Sequence, residues 1–264
     1  TAVCGYSLMK EAENTMMPEY ELPHLGGKLM STQVSALLIK ELTGGVFAQS
    51  ERLPSEVELA ERLSVSRTVI RDALSDLERE GLIDRVRGIG TVINREIVNL
   101  KSRLDLKFEY NELILAAGRS PRSDSLSLRV EQADEELAQT LRLDAGAGVI
   151  VCEKRVLAGD TPVIYSIDYL ALSLFDGMDY MAIDWAKPIF DILDRCCGLT
   201  VITDIAHVCA TNATPAIRRL LQVPDGGALL MLDEVGFCRL SRPVLRSLEF
   251  YTDFFDFTML RKKF

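Results

Sequence analysis

Arg67 and Arg71 are four residues apart, about one turn if the segment is helical, so their guanidinium groups would share a face. Groups so placed can fork onto a guanine edge or a phosphate, which a lysine's point charge does not do bidentately. Ser66 and Thr68 flank Arg67 with hydroxyls suited to phosphate oxygens. Arg85 and Arg87 precede Gly88-Ile89-Gly90, a turn whose glycines permit close backbone approach. No comparable set for bond-breaking chemistry is found, since there is no Ser-His-Asp combination, nucleophile elbow or P-loop. Of the two histidines, His24 and His207, the second sits in an apolar run and reads as a core histidine rather than a base. The six cysteines show no C-x-x-C spacing, so neither a zinc site nor a disulfide framework is suggested. Cys152, Cys209 and Cys238 lie in apolar strand-like runs and are expected as small buried hydrophobes. The chemistry available is recognition, and no cofactor is implied.

The elements that must hold these arginines are short and locally specified. Ser55 and Glu58 have the S-x-x-E spacing of a capping box, and Leu59, Ala60 and Leu63 give the helix after it one apolar stripe. The chain turns at Ser64-Val65 and restarts at Ser66, an N-cap. Ile70, Ala73, Leu74 and Leu77 follow at i, i+3, i+4 and i+7, and Gly81 stands where a helix ends. Residues 82–87 and 91–93 flank the glycine turn as a hairpin. Two helices joined by a tight turn, with arginines at the start of the second, form a helix-turn-helix layout, and the hairpin is its wing. Upstream, Val34, Leu37, Leu38 and Leu42 form an amphipathic helix that stops at Gly44-Gly45.

The bulk numbers fit that reading once charge is considered locally. The chain has 264 residues, 48% hydrophobic and 26% charged, enough for two domains with real cores. No run of eighteen apolar residues suggests a membrane span, and the first ten residues lack the pattern of a secretion signal. The expected location is cytoplasmic, with no membrane partner. A net charge of −9 argues at first against nucleic acid. A binding face needs only a local cluster, however. From Arg67 to Arg95 six arginines face five acids, and the acids lie mainly on the later turns of the second helix. Spacing alone leaves a solvated mixed-charge face and a nucleic-acid face about equally supported.

The segments Arg52-Leu53-Pro54-Ser55-Glu56, Val65-Ser66-Arg67-Thr68, Arg71-Asp72-Ala73-Leu74, Glu80-Gly81-Leu82 and Gly88-Ile89-Gly90-Thr91 resemble the N-terminal signature of the GntR bacterial transcription regulators. That resemblance implies double-stranded DNA as partner. It implies Arg67 and Arg71 on base edges, Ser66 and Thr68 on phosphates, Arg85, Arg87, Gly88 and Gly90 in the wing, and Arg52 and Ser55 as further DNA-binding residues. It further implies a homodimer on a near-palindromic operator. Two positions depart from the family pattern: Val57 and Ile89 stand where relatives often carry a base.

The remainder reads as a flexible arm over 1–28, the winged domain over 29–94, a charged linker over 95–117 and an α+β domain over 118–264. The stretch 118–123 reads as a loop by its Gly and Pro, with a basic anion-binding role as the alternative. Strands alternate with short helices begun by Asp134, by Pro188 and by Thr214-Pro215. Tyr165-Ser166-Ile167-Asp168-Tyr169-Leu170 and the aromatic-rich 247–257 resemble the UTRA effector domain, a chorismate-lyase-like antiparallel fold found in HutC-like GntR regulators. By that resemblance Lys154, Ser166, Asp168, Glu249 and Tyr251 are candidate effector contacts; the free N–H groups of the helix start near Lys187-Pro188 make a further candidate anion site if it faces the cleft. Relatives that bind phosphorylated sugars carry a second base where Val156 stands and an acid where Ser166 stands. The function expected is a DNA-binding repressor re-set by a small polar or anionic metabolite. The alternative is a metabolite-binding protein or a lyase-like enzyme on the same fold.

Overall fold

The computed structural model describes residues 30–100, 102–106 and 109–261. The expected N-terminal arm, residues 1–28, therefore lies outside the described residues. The chain divides into two compact units, Thr1–Leu100 and Lys101–Phe264, each with its own core.

In the first unit, helix α1 (Met30–Thr43) packs Val34, Leu38 and Leu42 against α2 (Glu56–Leu63) and α3 (Arg67–Arg79), whose Leu59, Leu63, Ile70, Leu74 and Leu77 are buried with them. Each such aliphatic side chain contributes roughly 1.5–3 kcal/mol by leaving water. The caps are as the spacing predicts. Ser55 Oγ accepts from the Glu58 amide at 3.2 Å and Glu58 Oε2 accepts from the Ser55 amide at 2.9 Å. Ser64 turns the chain in the left-handed region, and Ser66 Oγ accepts from the Val69 amide at 3.3 Å. A three-stranded antiparallel sheet follows, ordered β1 (Arg52–Leu53), β3 (Gly90–Ile93), β2 (Ile83–Val86). The β2–β3 hairpin is the wing.

The stretch 95–117, expected to be a linker, departs from that reading at both ends. Helix α4 (Arg95–Val98) belongs to the first core through buried Val98 and half-buried Ile97. Arg95 donates to the Leu42 and Ser50 carbonyls at 3.0 Å each and also bonds the Phe47 carbonyl. An arginine that satisfies carbonyls left over at a helix end looks like a solvated charge in sequence but is a fastening in space. Helix α5 (Tyr110–Ala116) buries Tyr110, Leu113 and Ile114 in the second unit.

The second unit is a six-stranded antiparallel sheet ordered β4 (Pro121–Gln132), β5 (Gly148–Ala158), β6 (Thr161–Ala171), β9 (Arg242–Tyr251), β8 (Ala228–Cys238), β7 (Thr203–Asn212). The loop read over 118–123 ends early, because β4 begins at Pro121, which sits at the start of an edge strand where its missing N–H is tolerated. Helices α6 (Glu135–Leu141) and α8 (Pro215–Leu221) cover one face, the first against Val149 and Val151, the second against Tyr165 and Leu229. Helices α5 and α7 (Ile189–Cys197) cover the other, the first against Val156 and Ile164, the second against Ile150, Cys152 and Leu245. Cys152 and Cys238 are buried as expected, but Cys209 and His207 are exposed. Their apolar strand is the sheet's last, nearly all of it open to solvent on both faces, so strand-like sequence did not bring burial.

Candidate functional site

The start of α3 and the wing present the predicted DNA-reading residues with unequal freedom. Arg67 and Thr68 are exposed on the first turn, and Arg67 has no side-chain partner among the described residues. Arg71 is 58% exposed and touches Glu56 Oε2 at 3.3 Å. Arg87, at the wing tip, is exposed and likewise has no side-chain partner among the described residues. Arg85 differs: its guanidinium lies on Glu78 at 2.6 and 2.9 Å and on Ser75 Oγ at 3.1 Å. Arg52 donates to the Ile89 carbonyl at 3.1 Å and so braces the wing turn. Gly88 and Gly90 have φ of +80° and +107°, values that favour glycine whatever the space around them. Ser55 and Ser66 spend their hydroxyls on helix caps. Val57 and Ile89 are exposed, so the basic residues that relatives often carry there would have pointed into solvent.

In the second unit the antiparallel register assembles a polar band. Residues opposite each other across a ladder share a face. Lys154, Ser166 and Glu249 form one such row, and Cys152, Asp168, Ser247 and Glu234 form the next. The band runs between the apolar cluster under α7 and the one under α5. Lys154 and Asp168 are each 1% exposed, with Nζ 3.0 Å from Oδ2. Ser247 and Ser166 donate to Asp168 Oδ1 at 2.7 and 3.2 Å, and Lys154 Nζ also donates to the Lys187 carbonyl at 3.3 Å. Burial alone would push the Lys154 ammonium down, but the Asp168 carboxylate and neighbouring groups outweigh it and hold the pKa above the usual lysine value. Lys154 is thus a neutralised strut, not a charge waiting for a phosphate.

Tyr251 is completed by Glu249, to which its hydroxyl donates. Burial first, then the Glu249 and Glu234 charges, push the phenol well above its ordinary range. A cavity of about 240 Å³ opens here, lined by Arg103, Asp105, Asp204, Leu232, Glu234 and Tyr251 among others. A smaller one lies against Glu109, Tyr110, Phe190, Ser247, Glu249 and Tyr251. The five residues expected as effector contacts therefore fall on one face of β5, β6 and β9. Ser247, Glu234, Tyr110 and Arg103 were not foreseen. Ser247 was detectable, since it shares the i, i+2, i+4 alternation of Glu249 and Tyr251. The start of α7 contributes Ile189 and Phe190 to the smaller cavity.

Residues 30–93 match the model for bacterial regulatory proteins of the gntR family, and residues 116–253, more than half of the chain, match the UTRA domain. The chain belongs to the GntR regulators that carry a UTRA domain. It is 26% identical over 216 residues to the transcriptional regulator YurK of Bacillus subtilis, spanning 82% of this chain and 88% of that one. It is 28% identical over 204 residues to the histidine utilization repressor of Pseudomonas putida, spanning 76% and 79%. Among solved structures, YydK of Bacillus subtilis superposes with a TM-score of 0.70 at 16% identity, covering 89% of this chain and all of that one. PhnF of Mycobacterium smegmatis gives 0.57 at 23% identity, covering 87% and 99%. These likenesses carry the fold. This GntR/UTRA protein is accordingly a transcriptional regulator with a winged helix-turn-helix and an effector-type antiparallel domain. Its relatives are named as regulators, and no helix among its described residues is long and apolar enough to cross a membrane.

Proposed function

We propose that this regulator is a cytoplasmic repressor that binds a near-palindromic double-stranded operator as a homodimer, and that a small polar metabolite in the second unit re-sets it. The observation that carries the reading is the exposed arginine pair on the first turns of α3, beside a wing whose tip presents Arg87. Arg67 and Arg71 would take base edges, while Ser66, Thr68, Arg52 and Ser55 position the backbone. Arg85, Arg87, Gly88 and Gly90 would follow the adjacent phosphates. Lys154, Ser166, Asp168, Glu249 and Tyr251 would shape the metabolite site, with no catalytic role for any of them. The dimer reading is supported by β7, an edge strand with exposed Ile205 and Val208 and an open hydrogen-bonding edge that a second copy would cover.

The test is a gel shift of the full chain on its own promoter fragment at moderate salt, with light scattering for the dimer. Retardation that needs clearly more protein in Arg67→Ala and in Arg71→Ala supports the reading, and no retardation at micromolar protein sinks it. By linkage, any metabolite that weakens operator binding must itself bind more weakly, by the same factor, when operator is present.

A further inference from the structure

We propose that residues 102–106 form a detachable strap whose release lengthens the leash to the DNA-binding unit; its effect on DNA rests on the proposed operator binding. The first unit ends at Leu100, and Ser102 is already hydrogen-bonded within the second, so one residue, Lys101, separates them in sequence. The strap runs parallel to residues 258–260, just beyond β9, with Arg103 opposite Thr258. The Leu104 amide donates to the Thr258 carbonyl at 2.7 Å. The Thr258 amide and hydroxyl donate to the Ser102 carbonyl at 2.9 and 3.4 Å. Asp105 accepts from the Leu260 amide at 3.4 Å and pairs with Arg103 at 2.5 Å. The segment that receives these bonds is anchored: the Phe257 ring stacks on Phe255 at 5.4 Å and meets Tyr251 edge-on at 5.1 Å.

Two observations mark the strap as the part that moves. It is fastened to residues 258–260, yet Arg103, Leu104, Asp105 and Leu106 also line the cavity of about 240 Å³, which opens towards Asp204, Leu232 and Glu234. Atoms that border a void forgo the dispersion contacts of a packed interior. Of the strap's side chains only Leu104 packs against the apolar cluster under α5, and only in part. A segment with so few buried apolar contacts opens locally, without unfolding the sheet behind it. The second observation is where the next anchor lies. After the strap, the next of the described residues held in that core is Tyr110 of α5. Release therefore extends the reach from Leu100 to its nearest anchor from roughly 7 Å to roughly 35 Å. Winged units on short leashes are confined to one half-site spacing, whereas long leashes accept several. Any molecule that fills the cavity touches the strap, so occupancy and leash length are linked.

Hydrogen exchange of the full chain, read by mass spectrometry, and gel shifts on operators of altered spacing test this together. Thr258→Pro removes the amide that bonds Ser102, and Asp105→Ala removes the acceptor for Leu260 while leaving the backbone bonds in place. Exchange over 102–106 should be faster than over β5 and β6 in the parent and should rise about tenfold or more in Thr258→Pro, less in Asp105→Ala. Trp185 fluorescence during urea unfolding shows that the second unit of each variant remains folded. An operator whose half-sites are moved about five base pairs apart, half a helical turn, should bind the parent at least about tenfold more weakly than the native spacing. In Thr258→Pro that penalty should shrink to about threefold or less. Exchange over 102–106 as slow as in β5 and β6, in parent and variants alike, overturns the strap. Faster exchange with an unchanged spacing penalty overturns its role as a leash. A parent that retards no promoter fragment removes the operator reading instead, and exchange then decides by itself whether the strap opens as a unit.

Discussion

Arg71–Glu56 and Lys154–Asp168 are ion pairs of similar length, 3.3 and 3.0 Å, in opposite surroundings. The first lies on a helix start open to water, with the arginine 58% exposed. The second is sealed between two apolar clusters at 1% exposure. An exposed pair is worth about 0–1 kcal/mol, so Arg71 can exchange Glu56 for a phosphate or base edge at small cost. A buried pair is hard to part, because removing one partner strands a charge in low dielectric. The winged unit therefore holds its cations ready, whereas the effector unit has consumed its one deep lysine in holding the sheet's centre together.

The largest effect expected from that contrast is at Lys154. Lys154→Met should destabilise the second unit by about 3–5 kcal/mol, while Lys154→Met with Asp168→Leu should recover much of the loss, since an apolar pair strands no charge. The chain's single tryptophan, Trp185, lies in the α7 cluster, so its fluorescence during urea unfolding reports the second unit alone. A single variant that unfolds like the parent would show the pair is not a strut. At Arg71 the balance reverses. Arg71→Ala should weaken specific operator binding by roughly 1–3 kcal/mol and relax discrimination at one base position. Its stability should stay within about 0.5 kcal/mol of the parent. A loss equal on all DNA sequences would reassign Arg71 to the phosphates.

A smaller effect belongs to the cap that positions the reading helices. Ser55→Ala should cost the first unit about 0.5–2 kcal/mol by far-ultraviolet dichroism, with the Trp185 midpoint unmoved. The Ser55 amide and hydroxyl hold the Glu58 carboxyl below the ordinary 4.5. A depressed carboxyl contributes stability above its unfolded pKa and loses it as pH falls through the folded one. Glu58→Gln should thus resemble the parent near pH 3 and be less stable at neutral pH. A gap that persists unchanged at pH 3 would exclude the carboxylate as its source.

What the sequence allowed one to read follows from how local each feature is. The capping box, the Ile70-Ala73-Leu74-Leu77 stripe and the Gly88-Ile89-Gly90 turn are set within a few residues, and all fold as their spacing predicts. Arg95 was misread because its carbonyl partners lie 45 to 53 positions away in the chain. Cys209 and His207 were misread because exposure depended on strand order, which alternation does not encode. The cavity lining is the extreme case. Arg103, Asp105, Asp204, Glu234 and Tyr251 are scattered along the second unit, and only the register of β7, β8 and β9 and the segment packed beside them bring them to one cavity. The resemblance pointed to one face of the sheet through Lys154, Ser166 and Glu249, and the register does place those three side by side.

Arg85 gives the finest test of the contrast, because it is a surface arginine treated almost like a buried one. Its guanidinium is held by Glu78 through two hydrogen bonds and by Ser75 through a third, and Glu78 also accepts from the Arg85 amide at 3.0 Å. If Arg85 serves the wing's phosphate contacts, Glu78 competes with DNA for it, and Glu78→Gln relaxes that competition by removing the charge and turning one acceptor oxygen into a donor. The expected outcome is tighter operator binding at low salt. The slope of log affinity against log salt should steepen by up to about one phosphate's worth. Adding Arg85→Ala to Glu78→Gln should then cancel the gain. If Glu78→Gln leaves both affinity and slope unchanged, Arg85 is a brace between wing and helix, and the wing reads phosphates through Arg87 alone.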